Sequence, residues 1–274
     1  MEARECIRVQ ITHPQGQFIQ SGDLIAAMTP RTRVISVSHV RFDDGSILDA
    51  SSLAAACKSN GTLLVLDVSQ SCGAIPMDVR SLGADFIVCA GYKYLLSPFG
   101  TGFLWMNPQS AVLLRPGPYN WLSQDVESFA CLNYADPRPA RTLSRWDAAE
   151  AASIYNFNLT VMEASLKFVL NATPTLIHDH NQALISYFFE RLPDGYRLAS
   201  PRQVSQRGVF GCIEVGSRSN TESLYQTLRD DRFVVALREG KIRVAPHLPN
   251  STDDMDRLLV VLEKAQREAR HVPH

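Results

Sequence analysis

The stretch from residue 63 to residue 105 constrains the fold of this chain more than any other. Leu63, Leu64, Val65 and Leu66 form a short apolar run that stops at an acid, Asp67. Such a run fits a strand buried on both faces, as in a parallel sheet. Residues 78–82 read as a short helix or turn. Phe86, Ile87, Val88 and Cys89 form a second run, followed by small Ala90 and Gly91 and then by Tyr92 and Lys93. Parallel strands joined by a crossover end at the same edge of their sheet. Asp67 and Lys93 are therefore expected together at the carboxyl edge, where open α/β sheets bind ligands. Taken singly, each has a plainer reading: the acid as a turn or helix cap, the lysine as a solvated side chain.

The flanking sequence extends the pattern. A strand is expected over residues 7–11, a short helix over 21–28 and a buried strand over 33–38. Residues 49–58 carry Leu53, Ala54 and Cys57 at helical spacing and run into Asn60 and Gly61, a left-handed helix end. This βαβαβ order argues for a parallel sheet. Residues 107–141 read as a long connection holding an aromatic cluster, Tyr119, Trp121, Phe129 and Tyr134. Residues 148–170 are helical in period and apolar nearly all round, so burial is expected. Thr173 and Pro174 start a further helix with Ile177, Leu184 and Phe188 on one face. Strands over 209–215, 234–237 and 241–245, a helix over 222–228 and a last helix from about 251 complete a small α/β unit. The fold class is α/β, divided at 1–145 and 146–274.

Composition narrows the function classes. The net charge of −1 comes without a basic run, which gives no reason to expect nucleic acid or an anionic membrane as partner. No apolar stretch approaches the roughly 20 residues of a membrane span. The six cysteines are scattered, with no pair at metal-ligand spacing, and fit a reducing, cytoplasmic compartment.

One family joins these residues in one pattern. Asp67, Val68, Ser69 and Gln70, then Gly91, Tyr92 and Lys93, then Gly100, Thr101 and Gly102 resemble the class V branch of fold-type I pyridoxal-phosphate (PLP) enzymes, the cysteine-desulfurase-like and kynureninase-like aminotransferase family. The resemblance implies PLP as cofactor, Lys93 as the catalytic Schiff-base lysine and Asp67 against the pyridine nitrogen. It also implies Gln70 at the 3′-oxygen, Tyr92 at the phosphate and Thr101 reaching the phosphate of a neighbouring subunit, hence a homodimer. Residues 100–105 would return as an antiparallel strand. Arg243, in the run Lys241, Ile242, Arg243, Val244, Ala245, Pro246 and His247, would grip the carboxylate of an amino-acid substrate through its planar fork. His247 has a plainer reading, packing on the last helix.

The chain also departs from the family. Phe42 and Ala90 replace an asparagine and a serine that contact the cofactor in relatives. Arg238, Glu239 and Gly240 run straight into Lys241 without the cysteine-bearing loop of a desulfurase. An aminotransferase is the expected activity, with lyase, hydrolase or epimerase chemistry as alternatives. Nothing in residues 1–38 resembles the phosphate-cradling helix start. The chain is thus expected to be N-terminally truncated, which leaves open a non-catalytic remnant.

Overall fold

A computed structural model describes residues 7–114, 123, 138, 140, 146 and 152–270. The first of two four-stranded sheets has the order β1-β2-β3-β4. Strands β1 (Val34–Ser38), β2 (Leu63–Asp67) and β3 (Phe86–Ala90) run parallel, and β4 (Gly102–Met106) returns antiparallel to β3, as expected. Helix α1 (Ser21–Ala26) precedes β1, while α2 (Ala50–Asn60) and the single-turn α3 (Val79–Leu82) cross between strands. A short helix, α4 (Pro108–Ala111), follows β4.

Local chemistry sets these boundaries. The Asp49 carboxylate accepts the Ser52 N–H to start α2, and Gly61 ends it at φ 68°. That helix buries Leu53, Ala54 and Cys57 against Leu64, Leu66, Ile87 and Cys89. On the other face of the sheet, Leu63 and Val65 pack with Phe86, Met106 and Ala111. Both faces of β2 are therefore covered, though unequally. Residues 7–11 are irregular instead of forming the expected strand. Their alternating Ile7, Val9 and Ile11 stay exposed, so no buried face selects a register.

Helices α5 (Ala152–Ala172) and α6 (Pro174–Glu190) lead into the second sheet. Its order is β5-β6-β8-β7, all antiparallel, with β5 (Tyr196–Leu198), β6 (Gly211–Val215), β7 (Ala236–Arg238) and β8 (Lys241–Val244). Strand β5 is an addition to the sequence reading: three residues are too short to show a period. Helices α7 (Arg218–Asp230) and α8 (Thr252–Arg270) cover one face, and Phe188, Ile213, Ile242, Leu258 and Leu262 fill the core between. Glu239 and Gly240 turn β7 into β8 with both φ angles positive, the geometry of a two-residue hairpin.

Helix α5 is a correction. Met162, Leu166 and Val169 pack inward at helical spacing. Phe157, Phe168 and Leu170 are more than half exposed. Apolar residues all round a helix create two faces, and the described residues cover only one. The aromatic cluster expected at Tyr119, Trp121, Phe129 and Tyr134 lies outside the described residues.

The loop after β1 ties the two sheets together. Ser46 bridges to Arg207, Gly208 N–H donates to the Gly45 carbonyl at 2.7 Å, and the Ser200 hydroxyl donates to the Asp44 carbonyl. Arg207 is almost wholly buried there and is paired with no carboxylate among the described residues. It donates to Gln182 Oε1, Ser186 Oγ and the Arg202 carbonyl, and burial pulls its pKa down to about 10.

Candidate active site

Register carries Asp67 and Lys93 to one rim. Asp67 ends β2 opposite Ser38 and Val88, and β3 continues through Ala90 and Gly91 into Lys93. Asp67 Oδ1 accepts the Ser69 N–H at 2.7 Å, leaving Oδ2 without a hydrogen-bond partner among the described residues. The lysine turn is held from several sides. Ser69 Oγ accepts the Ala90 N–H at 2.8 Å, and the Gly91 N–H donates to the Thr101 carbonyl at 2.8 Å. The Ser165 hydroxyl of α5 donates to the Leu96 carbonyl at 2.9 Å. Leu96 itself has φ 54°, a left-handed conformation costly for a branched residue.

Gly73 lets the aspartate loop and the lysine loop touch. At φ 93°, a Cβ placed there would stand 2.5 Å from the Tyr94 carbonyl oxygen. Gly73→Ala will therefore destabilise the fold by about 2–4 kcal/mol, from backbone strain plus overpacking. Urea unfolding measures it, and an unchanged midpoint would refute the contact.

A cavity of about 500 Å³ opens beside this rim, with Gln70, Tyr92, Lys93 and Leu96 on one side. Arg238, Arg243 and His247 form the opposite side, with Phe42 and Tyr94 between. Lys93 is half-buried. Desolvation lowers its pKa below the ordinary lysine value, Asp67 opposes that shift, and Arg243 reinforces it. Arg243 donates from Nη1 to the Phe42 carbonyl at 3.1 Å and lies over the Phe210 ring at 5.0 Å, while its Nε is buried with no partner among the described residues. Strand β8 explains this orientation: Ile242 and Val244 enter the helix-covered core, so Lys241 and Arg243 face the other way.

The six expected site residues do not all meet. Asp67 sits behind Lys93 and acts on it through charge, while Gln70, Tyr92, Lys93 and Arg243 line the cavity. Thr101 does not line it; its hydroxyl donates to the Pro98 carbonyl at 2.6 Å. Tyr92 stacks on Phe99 with ring centroids 4.7 Å apart. His247 stacks on Tyr94 at 6.0 Å, and its Nε2 is buried without a partner among the described residues. Burial and the neighbouring His180 lower the His247 pKa, so the ring is neutral near pH 7. Sequence reasoning missed His39. It is buried at the end of β1, its Nδ1 lies 3.0 Å from Ser71 Oγ, and its N–H donates to the Asp67 carbonyl. Its position directly after β1, on the rim where Asp67 ends β2, was the available signal.

A larger cleft of about 770 Å³ lies between Gln17, Asp44, Ser200 and Lys241. Its charged wall is partly self-neutralised, Arg197 pairing with Glu214, and it holds none of the expected site residues. The smaller cavity is the chemical one. Among the described residues no group of three or more His, Cys, Asp or Glu could hold a metal ion, and no helix is long and apolar enough to cross a membrane.

Of the residues expected to hold PLP, Gln70 and Lys93 line the cavity and would meet its ring oxygen and aldehyde carbon, while Asp67 ends β2 outside the lining and would act on the ring nitrogen through its charge. The volume lies within the roughly 300–1,000 Å³ of small-molecule sites. Arg243 Nε and His247 Nε2, on two residues of the cavity wall, are buried and have no hydrogen-bond partner among the described residues.

Comparison with known proteins bears on the family and the fold. The aminotransferase class-V family model matches residues 1–249. The chain is 28% identical over 232 residues to an uncharacterised aminotransferase of Bacillus subtilis (strain 168), covering 83% of this chain and 58% of that protein. It is 25% identical over 261 residues to the isopenicillin N epimerase of Amycolatopsis lactamdurans (88% and 62%). It is 26% identical over 228 residues to the kynureninase of Pseudomonas fluorescens (80% and 52%). The chain thus spans between about half and two-thirds of the length of these relatives. Among solved structures, the cystine C–S lyase C-DES in complex with cysteine persulfide superposes with a TM-score of 0.77 at 20% identity, over 88% of this chain and 64% of that one. The apo cysteine desulfurase from Thermococcus onnurineus NA1 gives 0.74 at 18% identity, over 90% and 63%. The fold is that of the fold-type I PLP-dependent transferases, and the chain belongs to the aminotransferase class-V family.

Proposed function

We propose that this chain carries the PLP and substrate site of an enzyme acting on an amino acid, with transamination as its reaction. The observation that carries this reading is the Lys93 amine, half-buried and desolvated between Asp67 and Arg243 in a cavity of ligand size. When bound, PLP supplies an electron sink for negative charge developing on the substrate α-carbon. Lys93 moves the proton at its Nζ: a lysine with lowered pKa gives up and regains a proton near neutral pH more readily than a solvated one. Asp67 holds a positive charge in place across from it, and its free Oδ2 is the acceptor for that task. Arg243 binds and orients the substrate carboxylate.

Desulfuration is disfavoured on the same geometry. The β7–β8 connection is a tight hairpin with no room for a cysteine-bearing loop, and none of the described cysteines lines the cavity. Cys212 is fully buried, and its thiol is pushed up to about 12 by that burial. A homodimer is part of the proposal, with the open face of α5 available for burial.

Borohydride reduction of the protein incubated with PLP, followed by peptide mapping, tests the assignment. Label is expected on the peptide containing Lys93. Label confined to Lys58 or Lys167, which lie in helices, would refute it.

A further inference from the structure

We propose that this site selects amino acids carrying a second acidic group in the side chain, with Arg238 as the residue that recognises it. The inference rests on the reading of Lys93 and Arg243 given above and concerns what remains of the cavity once they are occupied. Three cationic side chains line it, Lys93, Arg238 and Arg243, and no Asp or Glu does so among the described residues. The first two requirements are spoken for. Lys93 would be engaged by the cofactor's aldehyde carbon, and Arg243 by the α-carboxylate. Arg238 remains.

Its surroundings leave that charge unanswered. Arg238 closes β7 directly opposite Lys241, across the two-residue turn. Lys241 has an acid of its own, Asp43, at 3.7 Å, which in turn holds Arg41. Arg238 is exposed and has no ion pair among the described residues, and among them its side chain makes one hydrogen bond, from Nη1 to the adjacent Leu237 carbonyl at 2.8 Å. The remaining wall is aromatic or neutral: Phe42, Tyr92, Tyr94 and His247, the last held uncharged by burial. An apolar wall with one unpaired guanidinium at its end suits an aliphatic chain ending in a carboxylate. The pairs formed are Arg243 with the α-carboxylate and Arg238 with the side-chain carboxylate, both through charge-assisted hydrogen bonds. An amide of the same shape can accept hydrogen bonds from Arg238 but brings no charge.

Two measurements on the full chain test this. The first is kcat/KM for glutamate against glutamine, with PLP bound. The second is isothermal titration with the unreactive diacid glutarate against its monoamide, glutaramate, which needs no turnover. The diacid is expected to win by about 5- to 10-fold in each, between the top of the range for an exposed ion pair and the bottom of that for a hydrogen bond to a charged group. Arg238→Gln is expected to erase that ratio, and Arg238→Lys to restore part of it. If Lys93 is labelled and glutamate is turned over with no preference over glutamine, the specificity proposal is wrong while the function stands. If Lys93 is not labelled, the enzymatic reading fails. Glutarate then still decides: preferential binding lost in Arg238→Gln supports the diacid site, and equal binding of both probes overturns it.

Discussion

Lys93→Ala will lower the turnover number by at least about 10³-fold, the scale of losing a positioned proton-transfer group together with the covalent anchor. The lysine is half-buried in a turn fixed by Ser69, Thr101 and Ser165, which holds its amine in position. Its pKa is lowered chiefly by desolvation, which means that the folded protein pays to keep the amine charged. The sign follows. Below its ordinary value of 10.5 the charged lysine opposes folding, and the penalty fades as pH rises through the lowered folded value. The cofactor-free Lys93→Ala protein will therefore melt no lower than the parent at pH 7, which separates a chemical loss from misfolding. Added small alkylamines will restore part of the rate. In the parent, the rate of PLP capture will rise with pH and level off below 10.5, because only the neutral amine attacks. Retention of a tenth of the parental rate by Lys93→Ala would remove this residue from the chemistry.

Arg243→Ala will raise the apparent constant for amino-acid substrates by about 30-fold to several thousand-fold. That range converts the roughly 2–5 kcal/mol lost when one partner of a buried charged pair is truncated. Its guanidinium is already oriented before any ligand arrives, by the Phe42 carbonyl on one side and the Phe210 ring beneath. Preorganisation of that kind keeps the ordering cost of binding low. Arg243→Lys will recover little, because an ammonium cannot reproduce the planar fork. Amines that lack a carboxylate will lose far less than amino acids do. Equal losses for both classes would show that Arg243 shapes the site without touching substrate.

The pair at the centre of the site, Asp67 and Lys93, was legible because both follow short buried strands in a parallel unit. Strand runs, crossover handedness and the shared carboxyl edge are local or nearly local properties, so a single sequence displays them. The helix ends at Gly61 and at Thr173 and Pro174 were legible for the same reason, since capping depends on groups a few residues away. Other features depended on which distant surfaces meet. The strand expected over residues 7–11 has the right alternation and no buried face, and α5 has apolar residues all round with burial on one side only. Periodicity states that a residue can be buried; it does not state by what. Arg238, His247 and Phe42 reach the cavity only because the second sheet turns the outer face of β8 toward the first, through the Ser46, Gly208 and Ser200 contacts. The sequence by itself determined the α/β class and the acid–lysine rim. The tertiary structure alone decided which side chains close the cavity, and hence its unpaired charge, because that depends on packing between segments some 200 residues apart.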